Sequence, residues 1–169
     1  TNIRVIEGRW EDDWRAIGLA PHDVVVASRS FLMDDLADAL GKLDAFARKK
    51  AILSTLVDDG PHDRRLIEAV GRTYHPGADY VVVYNQLRRM GVLANAAFIR
   101  LPEDRSYADL DEAAAASRWM IRGITEAEEA RLKSHLAKTL VRTDDGLRLP
   151  YSRVTRWAVL WWDKEAVGC

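Results

Sequence analysis

The chain has 169 residues, 48% of them apolar and 30% charged, which is enough for about one globular domain at roughly 150 residues per domain. Its 25 basic and 26 acidic side chains nearly cancel, so there is no broad field for phosphate backbones, which argues against nucleic acid as the main partner. The single cysteine, Cys169, excludes an internal disulfide and fits a reducing cytoplasm; no apolar run approaches the roughly 18 residues needed for a membrane span.

The chain opens on Thr1 and enters a strand-like run at Ile3–Glu7 almost at once, which reads as a truncated or processed N-terminus. Gly8 stops that run. Val24–Val25–Val26–Ala27 is an uninterrupted apolar stretch, the pattern of a strand buried on both faces of a parallel sheet. Asp34 then caps a helix expected to run to Lys49, with Leu36, Leu40, Leu43 and Ala47 at helical spacing. Ala51–Val57 is a second buried strand, closed by Asp58–Asp59–Gly60–Pro61. Strand, helix and strand at this spacing form a right-handed βαβ unit.

Pro61–Gly71 reads as a helix with Leu66, Ile67 and Val70 inward. Asp79–Met90 carries strand formers, yet Tyr80, Tyr84, Leu87 and Met90 repeat at helical spacing and Gly91 supplies a stop, so a helix is expected. Ala96–Leu101 is a strand. Asp109 with Glu112, and Thr125 with Glu128, form capping boxes for helices reaching Met120 and Leu140. Asp145–Gly146 is a turn signal. The last element, Thr155–Trp162, is a strand with Trp157 and Trp161 on one face and Ala158, Leu160 and Trp162 on the other. The alternation predicts a single α/β domain over residues 1–169, with a helical insertion over 103–140 before the final strand.

Several chemistries lack their signatures. No phosphate loop, dinucleotide fingerprint, nucleophile elbow or paired C-x-x-C is present, and His22, His62, His75 and His135 never fall at metal-ligand spacing. Arg64, Arg65 and Arg72 read as a solvated basic face. Ser28, Ser30 and Ser54 follow or end strands without a neighbouring histidine and carboxylate to activate them. What remains lies at the carboxyl ends of the predicted strands, where open α/β sheets bind ligands. Gly8–Arg9–Trp10–Glu11–Asp12 follows the first strand and Ser28–Arg29–Ser30–Phe31 the second. Trp10 can pack on an adenine ring with Glu11 or Asp12 accepting from an amine, or it can pair with Trp14 in the core.

The runs R-V-I-E-G-R-W-E-D-D-W, D-V-V-V-A-S-R-S-F-L-M-D-D-L and A-I-L-S-T-L-V are similar to the middle of class I S-adenosylmethionine-dependent methyltransferases. Y-V-V-V-Y-N-Q-L-R-R-M-G-V-L-A-N-A-A-F-I and the closing R-W-A-V-L-W-W-D resemble a subgroup with a helical insertion before its last strand. The resemblance covers nearly the whole chain but not the family's glycine-rich first turn. It implies a Rossmann-like, mostly parallel sheet with an antiparallel final strand, truncated at its N-terminus. It also implies S-adenosyl-L-methionine as cofactor and a small-molecule methyl acceptor, in a cytoplasmic enzyme inactive as this piece alone.

The family's motifs place Gly8, Arg9, Trp10 and Glu11 on the adenine side of the cofactor, although Arg9 stands where the family often has Asp. They place Ser28 and Arg29 near the methionine side. Tyr80, Tyr84 and Asn85 line the acceptor pocket under a lid formed by Asp109–Leu140, or else both tyrosines are ordinary core residues. The runner-up is a non-enzymatic α/β binding domain, and a third reading is a hydrolase or other transferase. In the family's strand order, third, second, first, fourth, fifth, seventh, sixth, Ile3–Glu7 is the third strand and Val24–Ala27 the fourth. Thr155–Trp162 is then antiparallel between Ala51–Leu56 and Ala96–Leu101. The edge of Val24–Ala27 is expected to be closed by Ile3–Glu7, by a second copy in a homodimer, or by a separate N-terminal fragment.

Overall fold

The computed structural model describes residues 2–30, 33 and 35–164. Its regular elements are β1 (His22–Ser28), α1 (Leu36–Phe46), β2 (Ala47–Leu56), α2 (Arg64–Ala69), α3 (Tyr80–Arg89), β3 (Asn95–Glu103), α4 (Leu110–Ser117), α5 (Glu126–Thr139), β4 (Val141–Thr143), β5 (Gly146–Arg148) and β6 (Arg153–Asp163), with a 3₁₀ turn at Arg118–Met120. The fold is mixed α/β, and its residues gather into two compact units.

The first unit comprises Thr1–Val57, Ala78–Ile99 and Trp157–Cys169. It centres on a four-stranded sheet of order β1-β2-β6-β3, whose strands β3 and β6 also carry residues of the second unit. β1 runs parallel to β2, and β6 runs antiparallel to β2, with Leu53 opposite Leu160 and Leu56 opposite Trp157. The final strand therefore lies between β2 and β3, as the sequence predicts. Helices α1 and α3 cover one sheet face: Leu40, Leu43, Val83 and Leu87 meet Ala27, Ala51, Leu53, Leu160 and Trp162 in one buried cluster. Full burial of a leucine contributes about 1.5–3 kcal/mol, so this cluster dominates the unit's stability.

Three expectations need correction here. Ile3–Glu7 forms no strand; Ile3 and Val5 are 77% and 89% exposed. β-branched residues favour strands only where a partner and a half-buried face exist, and this run has neither. It therefore does not close the edge of β1. The helix cap expected at Asp34 lies outside the described residues; Asp35 caps α1 by accepting from the Asp38 amide at 2.9 Å. Finally, α1 stops at Phe46 rather than Lys49, because pairing with β1 draws Ala47–Lys50 into β2, where Lys49 meets Asp23 at 2.6 Å. The ambiguous Asp79–Met90 run is helical, with Asp79 accepting from the Val81 amide as N-cap.

The second unit comprises Asp58–Gly77 and Arg100–Arg156. Its core joins Leu66, Ile67 and Val70 of the α2 region to Ala113, Ala114, Leu132 and Leu136 of α4 and α5. The helix expected over Pro61–Gly71 is shorter because Asp63 caps it late, accepting from the Arg65 amide. Thr125 and Glu128 form the predicted capping box. At α4 the box is altered: the Glu112 carboxylate accepts from Ala108 instead of Asp109. Asp145–Gly146 turns a short hairpin between β4 and β5, and Leu147 exchanges backbone hydrogen bonds with Tyr107.

Arg72 ties the two segments of this unit together. Its Nε and Nη2 donate to the two Glu128 oxygens at 2.7 and 2.8 Å, and Nη1 donates to the Arg122 carbonyl at 2.8 Å. The Arg72 guanidinium, aided by the Thr125 amide, holds Glu128 down at about 2. Arg64 pairs with Glu68, and the Arg65 guanidinium lies 3.8 Å from the centre of the Tyr151 ring. The three arginines are thus engaged within the fold.

Candidate functional site

The carboxyl ends of β1 and β2 carry the polar cluster closest to what the sequence singles out. Parallel register places Ser28 beside Ser54, their hydroxyl oxygens 3.2 Å apart. The chain then turns sharply: Arg29 has φ of 55°, a left-handed conformation uncommon for a residue with a Cβ. Its amide donates to Ser54 Oγ at 3.1 Å, which fixes the turn. Its guanidinium lies 4.8 Å from the centre of the Trp157 ring, which sits opposite Leu56 in the sheet. A strained residue at the end of a parallel strand is the kind of backbone that functional sites hold.

Trp10 reaches the same place from the N-terminal turn. Its indole N–H donates to the Ser30 carbonyl at 2.7 Å, and its own carbonyl accepts from Lys42 Nζ at 2.6 Å. The Trp10 and Trp14 ring centres are 5.2 Å apart, and Trp14 stands edge-on to Phe46 at 5.1 Å. Trp14 also donates to the Arg9 carbonyl, while the Arg9 amide donates to Asp12 at 2.8 Å. Both sequence readings of Trp10 therefore meet in one residue: it packs with Trp14, and it sits at the β1 loop. Gly8, Arg9 and Glu11 lie exposed along the turn that Trp10 fastens. Phe31 lies outside the described residues.

Tyr80, Tyr84 and Asn85 stand on α3 and engage other neighbours. The Tyr80 ring meets Phe98 of β3 edge-on at 5.0 Å, Tyr84 packs against the core cluster, and Asn85 is exposed. Chemically, the β1–β2 end offers two hydroxyls and a guanidinium, donors suited to a carboxylate or another polar ligand group. Among the described residues, no group of three His, Cys, Asp or Glu side chains is placed to hold a metal ion.

A second polar network lies within the second unit, and sequence reasoning missed it. Asp63, 4% exposed, accepts from the Tyr151 hydroxyl at 2.8 Å and faces Arg153 Nε at 3.6 Å. Arg153 pairs with Glu103 at 3.1 Å, and Thr155 donates to Glu103. Burial, reinforced by the Asp63 carboxylate, raises the Tyr151 hydroxyl above its ordinary value. Its partners are up to 88 residues apart, so no local pattern marks it.

No protein-family profile matches the chain. An uncharacterized protein of Haemophilus influenzae is 31% identical over 163 residues, covering 94% of this chain and 57% of that protein. The chain thus spans a little over half the length of the relative it matches. Among the described residues no helix is long and apolar enough to cross a membrane.

Proposed function

We propose that this chain is the C-terminal part of a class I S-adenosylmethionine-dependent methyltransferase, acting in the cytoplasm on a small-molecule acceptor. The observation that carries the reading is the strand order β1-β2-β6-β3 with β6 reversed against β2. It corresponds to the fourth, fifth, seventh and sixth strands that the sequence resemblance implies, and a reversed last strand inserted one place inside a sheet is an uncommon arrangement. Fold alone does not name a reaction, so the site must bear part of the argument.

The donors at the strand ends fit a cofactor that carries an amino-acid end and an aromatic base. The Ser28 hydroxyl and the Arg29 guanidinium would hold the amino-acid end. The turn Gly8–Glu11, braced by Trp10 on the Ser30 carbonyl, would border the base. The cofactor would supply an electrophilic methyl group on a sulfonium. The chain's own part is positioning: Ser54 fixes the Arg29 turn, and Lys42 and Ser30 fix Trp10. Holding partners in line can by itself supply several kcal/mol of rate acceleration.

The test is calorimetric titration of the full-length natural protein with S-adenosylhomocysteine. Micromolar binding is expected, and Arg29→Ala should weaken it by about tenfold, the loss of one charge-assisted hydrogen bond. Absence of binding at millimolar ligand would overturn the reading in favour of a non-enzymatic α/β binding domain.

A further inference from the structure

The sheet of the first unit has two faces of very different cover. On one, the rows Val25–Ala51–Trp162 and Ala27–Leu53–Leu160 lie beneath α1 and α3. On the other, register aligns Val26, Ile52 and Trp161 in one row and Ser28, Ser54 and Val159 in the next, with Val24 on the same face. Val24 and Val26 are 50% and 62% exposed, and Ile52, Val159 and Trp161 are only half-buried. Parallel sheets normally carry helices on both faces, and an uninterrupted Val-Val-Val-Ala strand is the composition of an interior strand.

The two edges of the sheet differ in the same sense. β3 carries Arg100, Pro102 and Glu103, the charges and proline that protect an edge from further pairing. β1, at the other end of the strand order, has no charge or proline from Val24 to Ser28. Its composition lacks the protection expected of a permanent edge.

We propose that in the full-length natural protein a segment preceding residue 1 completes this surface, with a strand along β1 and at least one helix over Val24, Val26, Ile52 and Trp161. Three observations select this occupant. The relative from Haemophilus influenzae has about 43% of its length outside the match, ample for several strand–helix units. The upstream chain approaches the right place, because Trp10 is bonded to the loop that leaves β1. Handedness supplies the third. The α1 crossover moves from β1 to β2 and puts its helix on the covered face. A chain winding outward from β1 moves the opposite way, so its right-handed crossovers put their helices on the bare face. This inference does not depend on the methyl-transfer reading.

The test uses the full-length natural protein carrying Val26→Cys, with Cys169→Ser so that this chain's only thiol is the introduced one. Maleimide labelling should be slowed on the order of a hundredfold relative to the urea-unfolded protein, at every protein concentration, as for a site exposed only by opening. A thiol-to-amine cross-linker attached through the introduced thiol should capture residues upstream of residue 1. Fast labelling overturns the proposal. So does protection that disappears on dilution, which would assign the surface to a second copy, and so does cross-linking to residues downstream of residue 169. Should the variant fold poorly, amide exchange on the unaltered protein decides: uniformly slow exchange across 22–28 is expected, and rapid exchange of alternate amides overturns the inference.

Discussion

Replacing Arg29 separates backbone strain from side-chain function. Arg29→Ala removes the guanidinium from Trp157, 4.8 Å from the ring centre, at a cost of about 0.5–1 kcal/mol for an exposed cation–π contact. It keeps a Cβ at φ of 55°, so the left-handed strain of roughly 1–2 kcal/mol persists. Arg29→Gly loses the same contact but releases that strain, offset by about 0.5–1 kcal/mol of extra chain entropy in the unfolded state. The difference leaves Arg29→Gly more stable than Arg29→Ala by about 0.5–1 kcal/mol, and close to the wild type. Urea unfolding of the full-length protein measures this as a shift in midpoint at constant slope. Ligand binding should fall equally in both variants, because both lack the guanidinium. If Arg29→Ala proves the more stable, the turn is not strained; if Arg29→Gly binds ligand as the wild type does, the side chain is not a ligand contact.

Two further outcomes follow from the second and first units. Glu128 is held at about 2 against an ordinary 4.5, so its contribution is fully present above pH 4.5 and is lost as pH falls toward 2. The thermal midpoint gap between wild type and Glu128→Gln should therefore be widest at neutral pH and close on acidification; a constant gap would contradict the Arg72 pairing. Gly146, at φ of 121°, would carry a Cβ 2.5 Å from the Tyr107 carbonyl oxygen, so Gly146→Ala should destabilise by roughly 1–3 kcal/mol. Gly41 lies within α1 with nothing within 4 Å of a Cβ, and Gly41→Ala should stabilise by about 0.5–1 kcal/mol. Equal urea midpoints for these two variants would refute the contrast.

The elements that bury most were the most legible. Val24–Ala27 and Ala51–Leu56 announce themselves as apolar runs, and the alternation through Trp157–Trp162 assigns each side chain of β6 to the face it occupies. The α3 helix was readable despite Tyr80–Tyr84, since Asp79 and Gly91 bound it on both sides. Ile3–Glu7 misled for the converse reason: a strand is a relation between segments, and the local residues carry only half of it. The hairpin of β4 and β5, three residues per strand, is too short for periodicity to register beyond its turn. At the candidate site, the residue types following β1 could be named, but the Ser54 tether of Arg29 depends on parallel register. That register is set by packing and is not written near either residue.

The long excursion from Glu103 to Arg153 leaves on β3 and returns on β6, which are neighbours in the sheet. Adjacent strands lie about 4.8 Å apart, and here Arg153 grips Glu103 across that gap at 3.1 Å. The sheet therefore asks of the excursion only that its two ends meet. Doubling the length of such a loop costs about 0.6 kcal/mol of closure entropy, little enough for a lineage to lengthen, trim or exchange it by recombination. Its helices can be inherited as an interchangeable cassette, diverging at their own pace while the strands that hold them are conserved by their packing.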